Sequence, residues 1–185
     1  MALISRIGFG QVEPNHLSAQ RTSQIYAQLP AADDIEILEK GQFVKYDYKE
    51  KKCNFTGAGE WMMVFNEIKL YDDWRETYKD YAMQKDHFTP GGKVEHNGLG
   101  PFEGQMVPRV IKTNVGDIYT TNCVGGGNVS GKAEYEGIEL EEGDEVSPNA
   151  EGFLAVDGDE SIVFQVVKVY TMADGQPAVK LMRIK

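Results

Sequence analysis

Cys53 and Cys123, with His16, His87 and His96, are the side chains from which a thiol–imidazole catalytic pair would have to be drawn. A thiolate nucleophile needs an adjacent base and surroundings that favour its charge. Cys53 lies in the lysine-rich stretch KEKKCNFTGAGE, read as a polar turn, and Cys123 ends a strand-like run before three glycines. Neither has the local signature of a cysteine hydrolase, so both read as buried or incidental thiols. They stand 70 positions apart. Two cysteines make no disulfide framework; one bridge stays open as an alternative to two reduced thiols.

Metal and phosphate chemistry fare similarly. His87 and His96 are nine residues apart, outside any HExxH or CxxC spacing. Asp157, Asp159 and Glu160 in DGDES begin like a calcium loop, but Ile162 stands where the sharp turn requires glycine. GAGEWM lacks the third glycine of a dinucleotide loop and leads into a strand-like run. GGGNVSGK ends on Lys132, but Ala133 replaces the hydroxyl that would hold magnesium. The carboxylates of GIELEEGDE cluster around glycines as solvated loops do, whereas a glycosidase needs two held across a cleft. No catalytic residue, metal ligand or cofactor is therefore nominated, and an enzyme is not expected.

The elements that would position any site are mostly β. Hydrophobic residues make up 41% and charged residues 26%, which fits a globular chain rather than a disordered one. The net charge of −10 repels nucleic acid, and Lys49, Lys51 and Lys52 read as a solvated hairpin tip. The N-terminus turns polar too soon for a signal peptide, and no apolar run has the length of a membrane helix. Synthesis in the cytoplasm as a soluble protein is expected.

Residues 1–32 carry Pro14 and Pro30 and lack a sustained apolar period. They could not build a core alone, and read as an extended arm ordering against the body or a neighbour, with a frayed terminus as the other reading. From Ile35 the pattern alternates: Val44, Tyr46 and Tyr48 face one way, Phe43, Lys45 and Asp47 the other. WMMVFNEIKLY is apolar on both faces, as in a strand covered twice. A helix is expected at about 73–85, capped by Asp73 with Glu76 in capping-box spacing, and Trp74, Tyr78 and Tyr81 forming a packing stripe. Residues 87–105 read as a long loop or boundary. Beyond them come short strands, ending in a hairpin around Asp174–Gly175. The fold class is mainly β with one short helix, an antiparallel small barrel or sandwich with an extended N-terminal arm. The expected divisions are 1–32 (arm), 33–90 (β-rich with the helix) and 91–185 (barrel or sandwich).

Five stretches, IEILEKGQFVKYDY, NFTGAGEWMMVFNEIKLYDD, VPRVIKTNVGDIYTTN, LEEGDEVSPNAEGFL and VVKVYTMADGQPAVKLMRI, together and in order resemble structural proteins encoded beside the major capsid protein in some tailed bacteriophages. The resemblance runs from about residue 8 onward. It implies a capsid decoration (cement) protein on the virion exterior, partnered by the major capsid protein and often trimeric. Nucleic acid and membrane are not among the implied partners. Shell contact is expected from the arm, at Phe9, Gln11, Val12, His16, Leu17, Ile25 and Tyr26, because these fit no local core. An edge strand extending a sheet across subunits is a second route. Loss of residues 2–30 is then expected to abolish shell binding and leave the β body folded. The alternatives are a head–tail connector or tail protein, a small-ligand or carbohydrate-binding β module marked by an exposed Trp61 or Trp74, and last an enzyme gathering His87 or His96 with an acid.

Overall fold

The computed structural model describes residues 1–5, 10–65, 82–84, 106–126 and 137–185. The chain opens with β1 (Ala2–Ile4), β2 (Val12–His16), helix α1 (Ser18–Thr22) and β3 (Ile25–Tyr26). β4 (Ile37–Glu39), β5 (Phe43–Asp47), β6 (Lys52–Asn54), β7 (Glu60–Val64) and β8 (Ala82–Gln84) follow. The rest is β9 (Val110–Ile111), β10 (Ile118–Thr121), β11 (Ile138–Leu140), β12 (Glu145–Pro148), β13 (Leu154–Ala155), β14 (Phe164–Thr171) and β15 (Pro177–Arg183).

Among the described residues the paired strands are all antiparallel, with two isolated parallel bridges at Ala31–Cys53 and Val124–Leu154. A six-stranded sheet runs β13-β12-β14-β15-β10-β2 and a five-stranded sheet β3-β9-β7-β5-β6, with β1-β11 and β4-β8 as small pairs. The class is as read: mainly β, with one short helix and a sheet that curls as a half-barrel. The hairpin β14–β15 forms as expected, with Gly175 at φ +87 in its turn.

The alternation in β5 and β7 does what its periodicity requires. Phe43, Trp61 and Met63 enter the core shared with the six-stranded sheet, where Phe43 meets Phe164 at 5.3 Å and Phe164 meets Tyr119 at 5.6 Å. Val44, Tyr46, Met62 and Val64 enter a second core, covered by Ile35, Leu38 and Met106. The sheet is thus covered on both faces. Gly152, at φ +79, gives its carbonyl to the Phe43 N–H at 2.7 Å, and a Cβ there would overlap the Phe43 carbonyl.

Three expectations change. The helix over about 73–85 is contradicted at its end, where Ala82–Gln84 is a strand paired with Ile37–Glu39; ladder bonds to β4 override a local helical pattern. Residues 73–81 and 85 lie outside the described residues, as do 87–105. The helix that is described is Ser18–Thr22, inside the supposed arm. Asp117, 99 positions away, caps it: its Oδ1 accepts the Ser18 N–H at 2.9 Å, and Ser23 ends it at φ +55.

Second, of the partners left open for the N-terminal segment the body is the one it orders against, and it does so as sheet strands and core rather than as an extended arm. Among the described residues it places a strand in three of the four sheets, since β1 pairs with β11, β2 with β10 and β3 with β9. Ile4, Val12, Leu17 and Ala19 sit in the main core. The Gln11 N–H donates to Asn122 Oδ1 at 2.7 Å, and Thr121 Oγ1 donates to the Gln11 carbonyl at 2.6 Å. Third, Cys53 belongs to strand β6, not to a turn.

These contacts reverse the expected effect of truncation. Loss of residues 2–30 removes the edge strand of each main sheet, so a cooperative urea transition should be absent from the truncated chain. Leu17→Ala should cost about 2–4 kcal/mol in urea unfolding, the range for a fully buried leucine. Tyr119→Phe should behave oppositely. The Tyr119 hydroxyl is buried with no hydrogen-bond partner among the described residues, and deleting an orphan donor should leave stability equal or raise it by about 1 kcal/mol. A clear loss would show that this hydroxyl has a partner.

Candidate functional site

The thiols are the first candidates, and the fold withdraws them from chemistry. Cys53 and Cys123 are both buried and form no disulfide. Burial pushes the Cys53 thiol up to about 12, which keeps it protonated and a poor nucleophile near neutral pH. Its Sγ points to the Leu29 carbonyl at 3.5 Å. His16 is exposed at the end of β2, while His87 and His96 lie outside the described residues.

The acid-rich loop after β13 brings together three groups that sequence spacing leaves apart. Asp159 Oδ2 accepts the Trp61 indole N–H at 2.9 Å and lies 3.4 Å from Lys45 Nζ. The Lys45 ammonium lies 4.9 Å from the centre of the Trp61 ring. Asp159 Oδ1 accepts the Ser161 N–H at 3.0 Å. The Trp61 bond, then the Ser161 amide, hold this carboxyl well below the ordinary carboxylate range. It is a clasp tying the 157–161 loop to β5 and β7, and Asp159 has its acceptor sites filled by protein donors. Among the described residues no group of three or more His, Cys, Asp or Glu side chains is placed to hold a metal ion.

Asp47 plays the same part at the β5–β6 turn. Its Oδ1 accepts the N–H groups of Glu50 and Lys49, its Oδ2 that of Ala58. The amide of Glu50, followed by those of Lys49 and Ala58, lowers its pKa. The Lys49–Lys51 tip thus stands exposed on an ordered turn, as read.

The seven residues nominated for shell contact scatter. Gln11, Val12 and Leu17 are buried in the chain's own core, so their lack of a local core reflects a distant one. Phe9 lies outside the described residues. His16 is exposed, and Ile25 and Tyr26 are half-buried on edge strand β3. Sheet extension also meets obstacles. Outer strand β13 is bridged by Val124 and outer strand β6 by Ala31. β2 carries Pro14, and β3 is two residues long. Each of these devices blunts an edge. Trp61, which would mark a carbohydrate platform if exposed, is 4% exposed; Trp74 is outside the described residues.

Two exposed side chains, Tyr48 and Leu3, are surface features that local sequence patterns do not single out. Alternation groups Tyr48 with Val44 and Tyr46, yet it is 63% exposed because β5 ends at Asp47. It rests edge-on against Tyr46, ring centres 5.2 Å apart. Leu3 is 58% exposed on the outer face of β1, opposite Glu139. No periodicity marks either: Tyr48 stands beside Lys49 in sequence, whereas Leu3 meets a charge only across the strand pair, at Glu139.

The clasp sets a pH dependence. A carboxyl whose folded pKa is lowered stabilises above its unfolded value, near pH 4, and that contribution is lost as pH falls toward the folded value. Asp159→Asn should cost about 1–2 kcal/mol at pH 7, kept small by solvent screening. The gap to wild type should narrow as pH drops from about 5 to below 3. A gap independent of pH would place the effect elsewhere.

No family model, curated protein or solved structure matches the chain.

Proposed function

We propose that this chain is a structural virion protein that binds the outer surface of a tailed-phage capsid and stabilises the shell. The observation that carries the reading is how the reactive groups are used. Cys53 and Cys123 are buried, and Asp47 and Asp159 have their oxygens filled by backbone, indole and ammonium donors. Among the described residues, what is left at the surface is mainly charge and single apolar side chains, which are means of binding. The five ordered stretches that resemble capsid-adjacent structural proteins supply the particular class. A net charge of −10 suits the outside of a DNA-filled shell better than contact with the packaged polyanion.

Many identical weak contacts on a repeated lattice give high avidity without a deep pocket. His16, Ile25 and Tyr26 are the nominated contact residues that the described surface still offers. A carbohydrate-binding module finds no support at the buried Trp61.

The test is stoichiometry. In gradient-purified particles of the source phage, mass spectrometry should give a ratio of this chain to the major shell protein near a simple fraction of unity. A handful of copies per particle would assign it to the head–tail connector or tail instead. Complete absence would overturn a structural role.

A further inference from the structure

Aspartate followed by glycine occurs twice in this chain, at Asp157–Gly158 and Asp174–Gly175, and the fold treats the two differently. Such a pair is chemically labile, because glycine has no Cβ to keep its amide nitrogen away from the preceding carboxyl. At Asp174–Gly175 both reacting groups are occupied. The Gly175 N–H donates to the Met172 carbonyl at 2.9 Å. Asp174 Oδ2 accepts the side-chain amides of Gln11 at 2.9 Å and Gln176 at 3.1 Å, and its Oδ1 accepts the Gln176 N–H at 3.2 Å. At Asp157–Gly158 neither group is occupied. Asp157 is exposed, and among the described residues its carboxylate and the Gly158 N–H make no hydrogen bond. Asn97–Gly98, labile for the same reason, lies outside the described residues.

The surroundings of Asp157–Gly158 leave no slack for a longer chain. A Cβ on Gly158 would overlap the Ser147 carbonyl, so its backbone lies directly on β12. The next N–H, that of Asp159, donates to the Pro148 carbonyl at 2.7 Å. From there the Asp159 carboxylate reaches Trp61 Nε1 at 2.9 Å and Lys45 Nζ at 3.4 Å. The Asp157 side chain stands on the solvent side, where rotation about its Cα–Cβ bond brings Cγ toward the Gly158 nitrogen.

We propose that Asp157–Gly158 is a site of spontaneous isomerisation to isoaspartate, and that the product unfastens the Asp159 clasp. The Gly158 nitrogen gives its proton to water and attacks Cγ of Asp157. The bond from Cγ to the carboxyl hydroxyl breaks, and that oxygen leaves as water. A second water opens the cyclic imide. Where it adds to the main-chain carbonyl, Gly158 stays attached through the Asp157 side chain. One water leaves and one enters, so composition is unchanged and no co-reactant is needed. The main chain is then longer by one methylene, inserted between Ala155 on the β12 ladder and Asp159 on the Pro148 carbonyl. Gly158 cannot move toward Ser147, so the added length pushes Asp159 off Trp61 and Lys45. The modified fraction rises with the age of the molecule and does not depend on what the protein binds.

Full-length protein is held for weeks at neutral pH, in buffer and in guanidinium chloride, both made with heavy-oxygen water. Each imide opening adds one labelled oxygen, which peptide mass spectrometry locates site by site. In denaturant the two Asp–Gly pairs should react at similar rates. In the native protein Asp174 should slow by about tenfold, the factor set by one retained hydrogen bond, while Asp157 keeps nearly its unfolded rate. The urea midpoint of the aged wild type should shift toward that of Asp159→Asn. Aged Asp157→Glu, whose longer side chain does not close this imide readily, should keep its starting midpoint. Native protection of Asp157 equal to that of Asp174 would overturn the site. Protein isomerised at Asp157 with an unshifted midpoint, or an equal shift in aged Asp157→Glu, would overturn the effect on the clasp.

Discussion

A five-stranded sheet that is apolar on both faces has to be covered twice, and most of the architecture follows from that requirement. In β7 successive side chains are all large and apolar or aromatic from Trp61 to Val64, so neither face can be left to water. The six-stranded sheet covers one side through the Phe43–Phe164–Tyr119 contact. Among the described residues the other side has no second large sheet over it. It is closed by irregular chain, with Leu29, Ala31, Ala32 and Ile35 packing from before β4 and Met106 from before β9. Coverage by loops demands hydrogen bonds for their backbone, and these are present. Ala31 donates to the Met106 carbonyl, Cys53 to that of Pro30 and Ala32 to that of Cys53.

The same economy explains the buried and half-buried acids. Asp117 caps α1 and closes the 114–117 turn, accepting the N–H groups of Ser18 and Asn114 at 2.9 Å each. Glu39, fully buried, accepts the Gly10 N–H at 2.7 Å where the chain enters β2. Asp47 and Asp159 fix loops. In each case a carboxylate meets backbone or indole donors that a loop-rich fold would otherwise bury unpaired. An acidic chain of this kind uses part of its charge as internal scaffolding and shows the remainder to solvent.

Short strands and blunted edges have a consequence for association. With β13 and β6 bridged by loop segments and Pro14 within β2, the sheets of the described residues offer no long template for another chain. That arrangement resists open-ended strand stacking.

The sequence by itself determined the strands at the centre of the five-stranded sheet and in the closing hairpin, and which of their faces are apolar; it left β1–β3 in an arm, β6 in a turn and β8 in a helix. The alternation at 43–47 and 61–64, the closing hairpin and the antiparallel β class are all local patterns, set by period-two geometry and turn chemistry. It also marked the turns of the lysine tip and of the acidic loop, where charge and glycine leave little else. Only the tertiary structure decided what residues 1–32 do, because a segment without its own core can be read only from its partners, and Thr121, Asn122, Asp117 and Ile111 are about 85 or more positions away in sequence. It likewise decided that Asp159, Lys45 and Trp61 form one clasp, and that Tyr48 is a surface residue while Tyr46 is core. Those outcomes depend on where a strand stops and what packs over it, which are properties of long-range contact and are absent from local spacing.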